Sequence, residues 1–473
     1  MPKTINVLFL AAEADPFVKV GGLGDVAGSL PQALRALSND EVKLDVRLVL
    51  PYHPVVKAEN LRPLEVFSLP RGSSEVVVEA FETTLNGMPV YFIGGDPIRA
   101  NGSVYSLDAK LDAEKYTFFS LAALELPNQI NWQPDVVHAN DWHTALSIYA
   151  NLTKRWEANA RHVAGVVTLH NLPFMGPDIN ALLEAYGIKL AQTDLPDWAR
   201  VLPMPLGLWA SDAIVAVSPG YAGEVLTPEF GCGLDEFLHL RKETLSGILN
   251  GIDTVSFDPA ADKAIGVNYD AASIEKRVIN KKLLQDRLGL ALDPNIPLLA
   301  VVSRMDVQKG VDLAFSALKS MKRVNFQAVI LGTGDPKLEE SARALQELFP
   351  DKIKAELRFD AKLARQIYAG ADMLLMPSRY EPCGLAQMIA MRYGCVPVVR
   401  AVGGLKDTVR QNETGFVFEK PHHMSLAGAI KAAMKAMANP VTWQSIQRAG
   451  MAKDFSWQAS AQEYLKLYLS LTK

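Results

Sequence analysis

Short apolar segments recur along the whole chain, and most of them lack the apolar–polar alternation of a strand with one exposed face. Segments with a helical pattern, such as 26–37 and 114–126, separate them. Continuous runs rich in Val, Ile and Leu are typical of parallel strands that helices cover on both faces. The predicted strands are 5–12, 44–50, 89–94, 135–139, 162–169 and 213–217 in the first half, and 297–303, 326–332, 354–359, 372–378 and 396–400 in the second.

The strand–helix pattern stops near 250–262, where turn residues replace the periodicity, so we expect a hinge there. A single core rarely grows beyond about 250–300 residues, and the chain has 473. We therefore predict an α/β fold of two doubly wound parallel sheets, with domains at 1–252 and 253–455 and a helix at 456–473. Loops after the strands of both sheets would line a cleft between the domains.

Composition excludes several classes of protein. An apolar fraction of 49% with 21% charged residues is typical of a globular chain, and a net charge of −4 argues against a general nucleic-acid surface. The first apolar segment ends at Glu13 and Asp15, which favours a strand over a signal peptide, and the absence of a long apolar run predicts no membrane span. Three cysteines without a CxxC pair favour a reducing cytoplasm.

A glycine-rich phrase, KVGGLGDV at 19–26, follows the first predicted strand. Gly22, Gly24 and Ala27 fit the GxGxxA fingerprint of dinucleotide-binding folds, but about nine residues separate strand and glycines, where the fingerprint has a tight turn. Backbone N–H groups at the start of the following helix would still bind an anion, and Lys19 would add a positive charge. A plain loop that needs positive φ angles explains the glycines equally well.

Polar residues also follow the fourth predicted strand, in the phrase HANDWHT. A carboxylate beside an aromatic ring suits a sugar, so Asp141 and Trp142 are candidate binding residues; Asp141 is alternatively a helix cap. His138 and His143 do not have the spacing of a zinc motif, and no third ligand is evident, so we expect no metal.

The next predicted strand ends in the phrase TLHNLPF, which delivers His170 and Asn171. A lone histidine is more often a hydrogen-bonding residue than a catalyst. Because the carboxyl ends of parallel strands meet at one edge of a sheet, these residues and Asp141 should lie close together.

In the second half, Arg304 and Lys309 lie in the phrase SRMDVQKG, directly after a predicted strand. An exposed basic pair is usually only solvated surface. At the carboxyl end of a strand, however, an arginine and a lysine are well placed to bind a diphosphate.

The phrase SRYEPCGLAQ follows another strand and opens a helix whose first N–H groups would bind an anion. Glu381 suits sugar hydroxyls, or alternatively stabilises the helix dipole. A carboxylate beside an anion site indicates a ligand with both kinds of group, such as a nucleotide diphosphate that carries a sugar. Cys383 lacks a paired histidine for nucleophilic catalysis. A second glycine phrase, AVGGLKDTV, follows at 401–409.

Taken together, these phrases resemble the signatures of the bacterial glycogen synthase and plant starch synthase family, in the same order and over essentially the whole chain. Two positions depart from the family pattern: Asn140 stands where a histidine is common, and Val402 where a threonine is usual. The resembling phrases are KVGGLGDV, HANDWH, TLHN, SRMDVQKG and SRYEPCGLAQ.

The resemblance implies a GT-B fold of two Rossmann-like domains, with a C-terminal helix that returns to the first domain. It implies retaining transfer of glucose from ADP-glucose to the non-reducing end of an α-1,4-glucan, with no cofactor, no metal, no nucleic acid and no membrane. The first domain would serve the acceptor and the second the nucleotide sugar.

Site residues follow from the same resemblance. The residues implied for catalysis are His170, Arg304, Lys309, Glu381 and Asp141. The residues implied for substrate binding are Lys19, Gly21, Gly22, Asp25, Asn171, Asn250, Cys383, Gly384 and Leu385. Among them, Arg304 and Lys309 would grip the diphosphate, and Glu381 would bind the glucosyl hydroxyls.

Several alternatives stay open at this point. A related retaining enzyme, such as a sucrose or trehalose-phosphate synthase, would use UDP-glucose. An NAD-dependent oxidoreductase would use Glu41 or Asp45 to bind a ribose, and a glucan-binding module would need no phosphate grip. Retention itself has two routes: front-face attack within an ion pair, or double displacement, for which Asp141 is the candidate nucleophile.

Overall fold

Parallel strand pairing organises both halves of the computed structural model, which describes residues 2–100, 102–155 and 161–473. The chain divides into two compact units. The first comprises Met1–Gly251 and Trp457–Lys473, and the second comprises Ile252–Ser456. The division therefore falls within the segment 250–262, where the periodic pattern of the sequence stops.

The first unit contains one large sheet. Its strand order is β10-β9-β8-β7-β1-β2-β6-β5-β3, and β4 pairs with β5. Pairing is parallel from β10 to β6 and antiparallel among β3, β4, β5 and β6. The strands are β1 Lys3–Leu10, β2 Val42–Pro51, β3 Arg62–Pro63, β4 Phe67–Arg71, β5 Ser74–Leu85, β6 Met88–Gly94, β7 Val136–Asn140, β8 Ala164–Leu169, β9 Ala213–Ala216 and β10 Leu245–Gly247.

Helices follow most strands of this sheet, as a doubly wound fold requires. Fully buried side chains such as Val7, Phe9 and Val166 form its core together with apolar residues of the covering helices. The helices are α1 Gly22–Ala36, α2 Asp96–Arg99, α3 Ala109–Gln129, α4 Trp142–Arg155, α5 Asn180–Ala185, α6 Pro203–Ala210, α7 Pro219–Glu224 and α8 Asp235–Leu240, with α17 Trp457–Leu471 at the end of the chain.

The second unit has a fully parallel sheet in the order β13-β12-β11-β14-β15-β16. Its strands are β11 Leu298–Val302, β12 Gln327–Leu331, β13 Ile353–Glu356, β14 Met373–Met376, β15 Val396–Arg400 and β16 Phe416–Phe418. Its helices are α9 Arg277–Arg287, α10 Val311–Ser320, α11 Pro336–Leu348, α12 Ala361–Gly370, α13 Ala386–Arg392, α14 Gly403–Thr408, α15 His423–Met437 and α16 Pro440–Met451. The strand order reverses between β11 and β14, as it does between β1 and β7 in the first unit, and such reversals are where doubly wound sheets bind ligands.

The antiparallel extension of the first sheet was not among the predictions. β5 is largely half-exposed, so it lacks the continuous apolar pattern of the parallel strands. A two-residue turn joins it to β6: Asn86 has a φ of 50° and Gly87 a φ of 79°. An Asn-Gly pair between two strands is the strongest local signal for a hairpin, and it stands in the sequence as LNGM. The prediction of two parallel sheets is confirmed, with this hairpin as an addition.

The C-terminal helix α17 belongs to the first unit, which confirms that it returns to the first domain. It packs against α1 and buries Tyr464 and Tyr468. The Tyr468 hydroxyl lies 2.6 Å from Nδ1 of the buried His138 in β7, and Nε2 of the same ring lies 2.7 Å from Oγ1 of Thr168 in β8. The helix is thus attached by polar contacts to the two strands that lead into the candidate site.

None of the described helices combines the length and the apolar character needed to cross a lipid bilayer.

Tyr468→Phe should lower the free energy of unfolding by about 1–3 kcal/mol, because it removes the partner of a buried imidazole nitrogen. Urea unfolding followed by fluorescence measures the change. The control is Tyr52→Phe in the same unit, since the Tyr52 ring packs against Phe81 and Phe92 and its hydroxyl makes no hydrogen bond to the residues that the structure describes. Equal stability of the two variants would show that the contact between α17 and β7 contributes nothing.

Candidate active site

The glycine phrase of the first unit is held by an internal carboxylate. Glu13 is 1% exposed, and it accepts hydrogen bonds from the backbone N–H groups of Val20 and Gly21, the latter at 3.0 Å, and from the Tyr105 hydroxyl at 3.0 Å. The sequence predicted that the N–H groups of the glycine phrase bind an external anion. The N–H groups of Val20 and Gly21 instead donate to Glu13 within the protein.

The helix start itself stays open. Gly21 caps α1. The Gly24 N–H donates to the Gly21 carbonyl at 3.2 Å, and the N–H groups before it lie at the helix start, where no carbonyl four residues earlier in the helix is available. A side chain built on Gly22 would meet nothing within 4 Å, whereas one on Gly24 would lie 3.1 Å from Cγ of Lys19 and 3.3 Å from Oε2 of Glu13. Gly24 is thus needed for packing, and Gly22 leaves room for a ligand at the helix N-terminus.

Lys19 lies beside this helix start with its side chain 44% exposed. Its Nζ is 2.5 Å from Oδ1 of Asp25 and 3.6 Å from Oδ2 of Asp15. Because the three side chains are partly solvated, the pairing is weak and the ammonium can exchange a carboxylate for a phosphate. The structure thus brings together the first four predicted substrate-binding residues, Lys19, Gly21, Gly22 and Asp25.

A second group lies where β7 and β8 end. Asp141 follows β7 with a φ of 56°, and its Oδ1 accepts hydrogen bonds from the backbone N–H groups of His170, at 2.8 Å, and Asn171, at 3.2 Å. The carboxyl group therefore ties together the loops after two neighbouring strands. His170 is further held by Asn140, whose amide oxygen lies 3.0 Å from Nε2 of the ring.

Burial controls the charge of this group. Desolvation raises the pKa of Asp141 to about 7 and lowers the pKa of His170 to about 3. Burial also lowers the pKa of the neighbouring His143 well below its usual range. Both histidines are therefore neutral at pH 7, and the region can donate and accept hydrogen bonds without carrying a strong positive charge.

Two predicted substrate-binding residues of the first unit carry unused hydrogen-bond acceptors. The side-chain oxygens of Asn171 and Asn250 are buried, and neither has a partner among the described residues. A buried polar atom without a partner is costly and is often a ligand contact.

In the second unit, the residues after β11 meet those after β14. Nζ of Lys309 lies 2.9 Å from Oε1 and 2.7 Å from Oε2 of Glu381, which is 4% exposed. The Ser378 hydroxyl donates to Oε2 at 3.0 Å. The buried carboxylate is thereby neutralised by one ammonium group. Arg304, with 69% of its side chain exposed, extends from the same loop as Lys309 and lies 3.3 Å from Asp306.

A clamp that the sequence did not reveal holds these two loops together. Both terminal nitrogens of Arg379 contact the carboxylate of Asp312 at 2.7 Å, and the Arg379 backbone N–H donates to the Gln308 carbonyl at 2.8 Å. The amide of Gln308 donates in turn to the Tyr380 carbonyl at 3.1 Å. Because Lys309 and Glu381 each lie next to a member of this clamp, their separation is fixed by the backbone.

A cavity of about 190 Å³ adjoins the Lys309–Glu381 pair. Gly384 has a φ of 73°, which favours glycine, and Leu385 caps α13. Their N–H groups lie at the start of that helix, where anions are stabilised. Cys383 is buried beside them. The cavity is lined by Val301, Val302, Ser303, Lys309, Leu375, Met376, Ser378, Glu381, Gly384, Leu385 and Ala386.

Sequence reasoning missed Glu13, Ser378, Asp312 and Arg379. Glu13 could have been recognised, because it is an acidic residue in the short segment between β1, which ends at Leu10, and the glycine phrase, which begins at Lys19. Asp312 and Arg379 act through a contact distant in sequence, whereas Ser378 contacts Glu381, three residues away. Among the described residues there is no group of three His, Cys, Asp or Glu side chains placed to hold a metal ion.

Comparison with known proteins extends these observations to the whole chain. Residues 6–240 match the family described as starch synthase catalytic domain, and residues 285–446 match glycosyl transferases group 1. A glycogen synthase of Clostridium beijerinckii is 41% identical over 99% of both chains, and one of Streptococcus sanguinis is 38% identical over 99% of this chain and 100% of its own.

Solved structures agree. The catalytic domain of starch synthase IV from Arabidopsis thaliana superposes with a TM-score of 0.88 at 30% identity, covering 99% of this chain and 100% of that one. A sucrose-phosphate synthase from Thermosynechococcus elongatus has a TM-score of 0.63 at 19% identity, with 99% of both chains covered, and this likeness shows the fold alone. The predicted GT-B fold class is confirmed.

Lys309→Met should cost about 3 kcal/mol of unfolding free energy, because it leaves a buried carboxylate without its counter-charge. The double variant Lys309→Met/Glu381→Gln should recover most of this loss, since no buried charge remains. Urea unfolding of the two single variants and the double variant measures the coupling. Additive losses would contradict an ion pair at this position.

Asp141 should destabilise the fold progressively as pH rises. Its pKa is about 7 in the folded protein against 3.8 as the ordinary value, so the folded state binds the extra proton, and this contribution is present below pH ~4 and lost as pH rises through ~7. Asp141→Asn cannot ionise, and its stability relative to the wild type should increase by about 3 kcal/mol between pH 5 and pH 8. Thermal unfolding across this range measures it, with Asp178→Asn on an exposed residue as the matched control. A difference that does not change with pH would contradict the argument.

Proposed function

The chain belongs to the glycogen and starch synthase family, and from that membership we propose that it transfers glucose from ADP-glucose to the non-reducing end of an α-1,4-glucan with retention of configuration. One observation of the site carries the proposal: Lys309, on the loop after β11 that also bears the exposed Arg304, is paired with the buried Glu381 that follows β14. That combination suits a ligand that has both phosphates and sugar hydroxyls.

A nucleotide sugar as donor and a glucan as acceptor follow from the family. For the base we propose adenine, because the starch synthase IV structure from Arabidopsis thaliana holds ADP together with acarbose. UDP-glucose is the competing donor, and the described residues offer no contact that distinguishes the two bases.

In the second unit, we assign the donor to the loops after β11 and β14. Arg304 and Lys309 bind the diphosphate, and the N–H groups of Gly384 and Leu385 bind its distal phosphate. Lys309 has three N–H donors, so it can contact both oxygens of Glu381 and still reach a phosphate oxygen. Glu381 then binds glucosyl hydroxyls, and the buried Cys383 precedes the two residues whose N–H groups bind the phosphate.

In the first unit, which we assign to the acceptor side, the α1 start and Lys19 meet the phosphates, and Lys19 exchanges its contact with Asp25 for a phosphate oxygen. His170 and Asp141 lie near the transferred glucose, and the unpartnered oxygens of Asn171 and Asn250 accept hydrogen bonds from sugar hydroxyls. The proposed domains are 1–252 and 253–455, with 456–473 returning to the first.

Cleavage of the glucosyl bond leaves ADP with a developing negative charge, and preplaced cations and N–H groups stabilise that charge in the transition state. Of the two routes to retention, we favour front-face attack, in which the departing phosphate takes the proton of the acceptor hydroxyl. Asp141 makes a poor nucleophile, because its pKa of about 7 leaves it partly protonated and one of its oxygens accepts two backbone hydrogen bonds.

The oxidoreductase alternative is not favoured. Of its two candidate ribose ligands, Asp45 lies within β2, and its carboxylate is held by Arg35, Arg47 and Trp132. A glucan-binding module without catalysis leaves the cationic loop after β11 unexplained.

We also place the protein in a reducing cytoplasm, because all three of its cysteines are free.

Arg304→Ala should lower kcat/KM for ADP-glucose at least about tenfold, which corresponds to ~1.4 kcal/mol of transition-state stabilisation. Because the Arg304 side chain is largely exposed, the fold should be unaffected. The assay measures incorporation of labelled glucose into a glucan primer from ADP-glucose and, separately, from UDP-glucose. Arg323→Ala, on an exposed arginine at the opposite end of the sheet, is the control. Unchanged transfer by Arg304→Ala would contradict the phosphate grip, and preferential use of UDP-glucose would contradict the donor.

A further inference from the structure

Asn140 is completely buried at the end of β7, and it touches two functional elements at once. Its amide nitrogen donates to the Leu10 carbonyl at the end of β1, at 2.9 Å, and its amide oxygen faces Nε2 of His170 at 3.0 Å. A backbone carbonyl can only accept, so the nitrogen must face Leu10 and the oxygen must face His170. An amide oxygen also only accepts, and Nε2 of His170 must therefore carry a proton.

The charge of the His170 ring decides whether Nδ1 carries a proton or a free lone pair. The titratable groups around His170 are Asp141, which accepts from the His170 backbone rather than from the ring, and His138 and His143. Burial lowers the pKa of both neighbouring histidines and lowers that of His170 to about 3. A neutral ring has one proton, and with that proton on Nε2 the lone pair is on Nδ1.

Nδ1 of His170 makes no hydrogen bond within the part of the chain that the structure describes, and the ring is only partly buried. A lone pair in this position can accept a hydrogen bond, and a carbohydrate hydroxyl is a suitable donor.

We propose that Asn140 is a positioning residue for glucosyl transfer: it fixes His170 as the Nε2–H tautomer, which leaves Nδ1 as a hydrogen-bond acceptor for the bound sugar. This inference rests on the proposed function. Asn140 itself does not touch the substrate; it acts through the imidazole ring, and its own orientation is set by the Leu10 carbonyl.

The tautomer can be measured without any assay of activity. Long-range ¹H–¹⁵N NMR of the full chain labelled with [¹⁵N]histidine reports the protonation of both ring nitrogens, and His170→Gln identifies the signal among the eight histidines. The expected spectrum has a protonated Nε2 and an unprotonated Nδ1 from pH 6 to pH 8. A protonated Nδ1, either in the other tautomer or in an imidazolium, would overturn the proposal.

Asn140→Asp tests the link to transfer. A carboxylate beside Nε2 should raise the pKa of His170 by about three units, from about 3 to about 6, and so protonate Nδ1 at pH 5. The ratio of kcat at pH 5 to kcat at pH 8 should therefore fall about tenfold below that of the wild type, and a His170 that stays neutral at pH 5 in this variant would contradict the contact between residue 140 and the ring. A His170 that titrates while kcat keeps the wild-type pH profile would contradict the role of Nδ1.

The matched control is Asn151→Asp. Asn151 is also buried in the first unit, and its amide donates to the Val163 carbonyl at 3.0 Å, so the substitution makes the same chemical change away from His170. It should leave the His170 signals and the pH profile unchanged. Should Asn140→Asp not fold, the wild-type spectrum alone decides the tautomer.

Failure of the proposed function looks different from failure of this inference. A wild-type protein that transfers glucose from neither ADP-glucose nor UDP-glucose refutes the function, whatever the spectrum shows. A protein that transfers glucose while His170 carries a proton on Nδ1 refutes only the role of Asn140.

Discussion

Parallel pairing of strands is the constraint on which both candidate sites depend. In each sheet the carboxyl ends of the parallel strands lie at the same edge, so the loops that follow neighbouring strands lie close together. Where the strand order reverses, the loops after the two central strands leave a crevice between them. In the first unit this brings together the residues after β1, β7 and β8, and in the second those after β11 and β14. Polar and charged residues that are far apart in sequence therefore lie close together, because each directly follows a strand of the same parallel sheet.

Buried carboxylates are then made tolerable in three ways. Glu13 is solvated by backbone N–H groups and a phenol, Asp141 by two N–H groups and by partial protonation, and Glu381 by an ammonium and a hydroxyl. An unpaired buried charge costs several kcal/mol, so each solution also fixes the position of a neighbouring loop. The acids of the site therefore organise its backbone as well as offering groups to a ligand.

The sequence was sufficient for the architecture and for the residues at strand ends, because continuous apolar runs and the polar phrases after them are local patterns. It was insufficient for predicting which side chains contact each other. Nothing near Arg379 in the chain indicates Asp312, and nothing near His170 indicates Asn140, since each pair is formed only when separate strands align. The β5–β6 hairpin was missed for a different reason. Asn86-Gly87 is a local turn signal, but β5 is half-exposed and lacks the continuous apolar pattern by which the other strands were predicted.

The two glycine phrases have similar sequences but different structural roles. At the first, a side chain on Gly22 would enter open space, so the glycine leaves access to a helix start. At the second, Gly403 has a φ of 44°, and a Cβ there would lie 1.9 Å from the Glu381 carbonyl, while one on Gly404 would lie 2.3 Å from the Cys383 carbonyl. These glycines let α14 pack directly behind the loop that presents Glu381. The first phrase therefore leaves space in front of a helix, and the second supports a binding loop from behind, so a threonine hydroxyl at the buried Val402 is not required for that support.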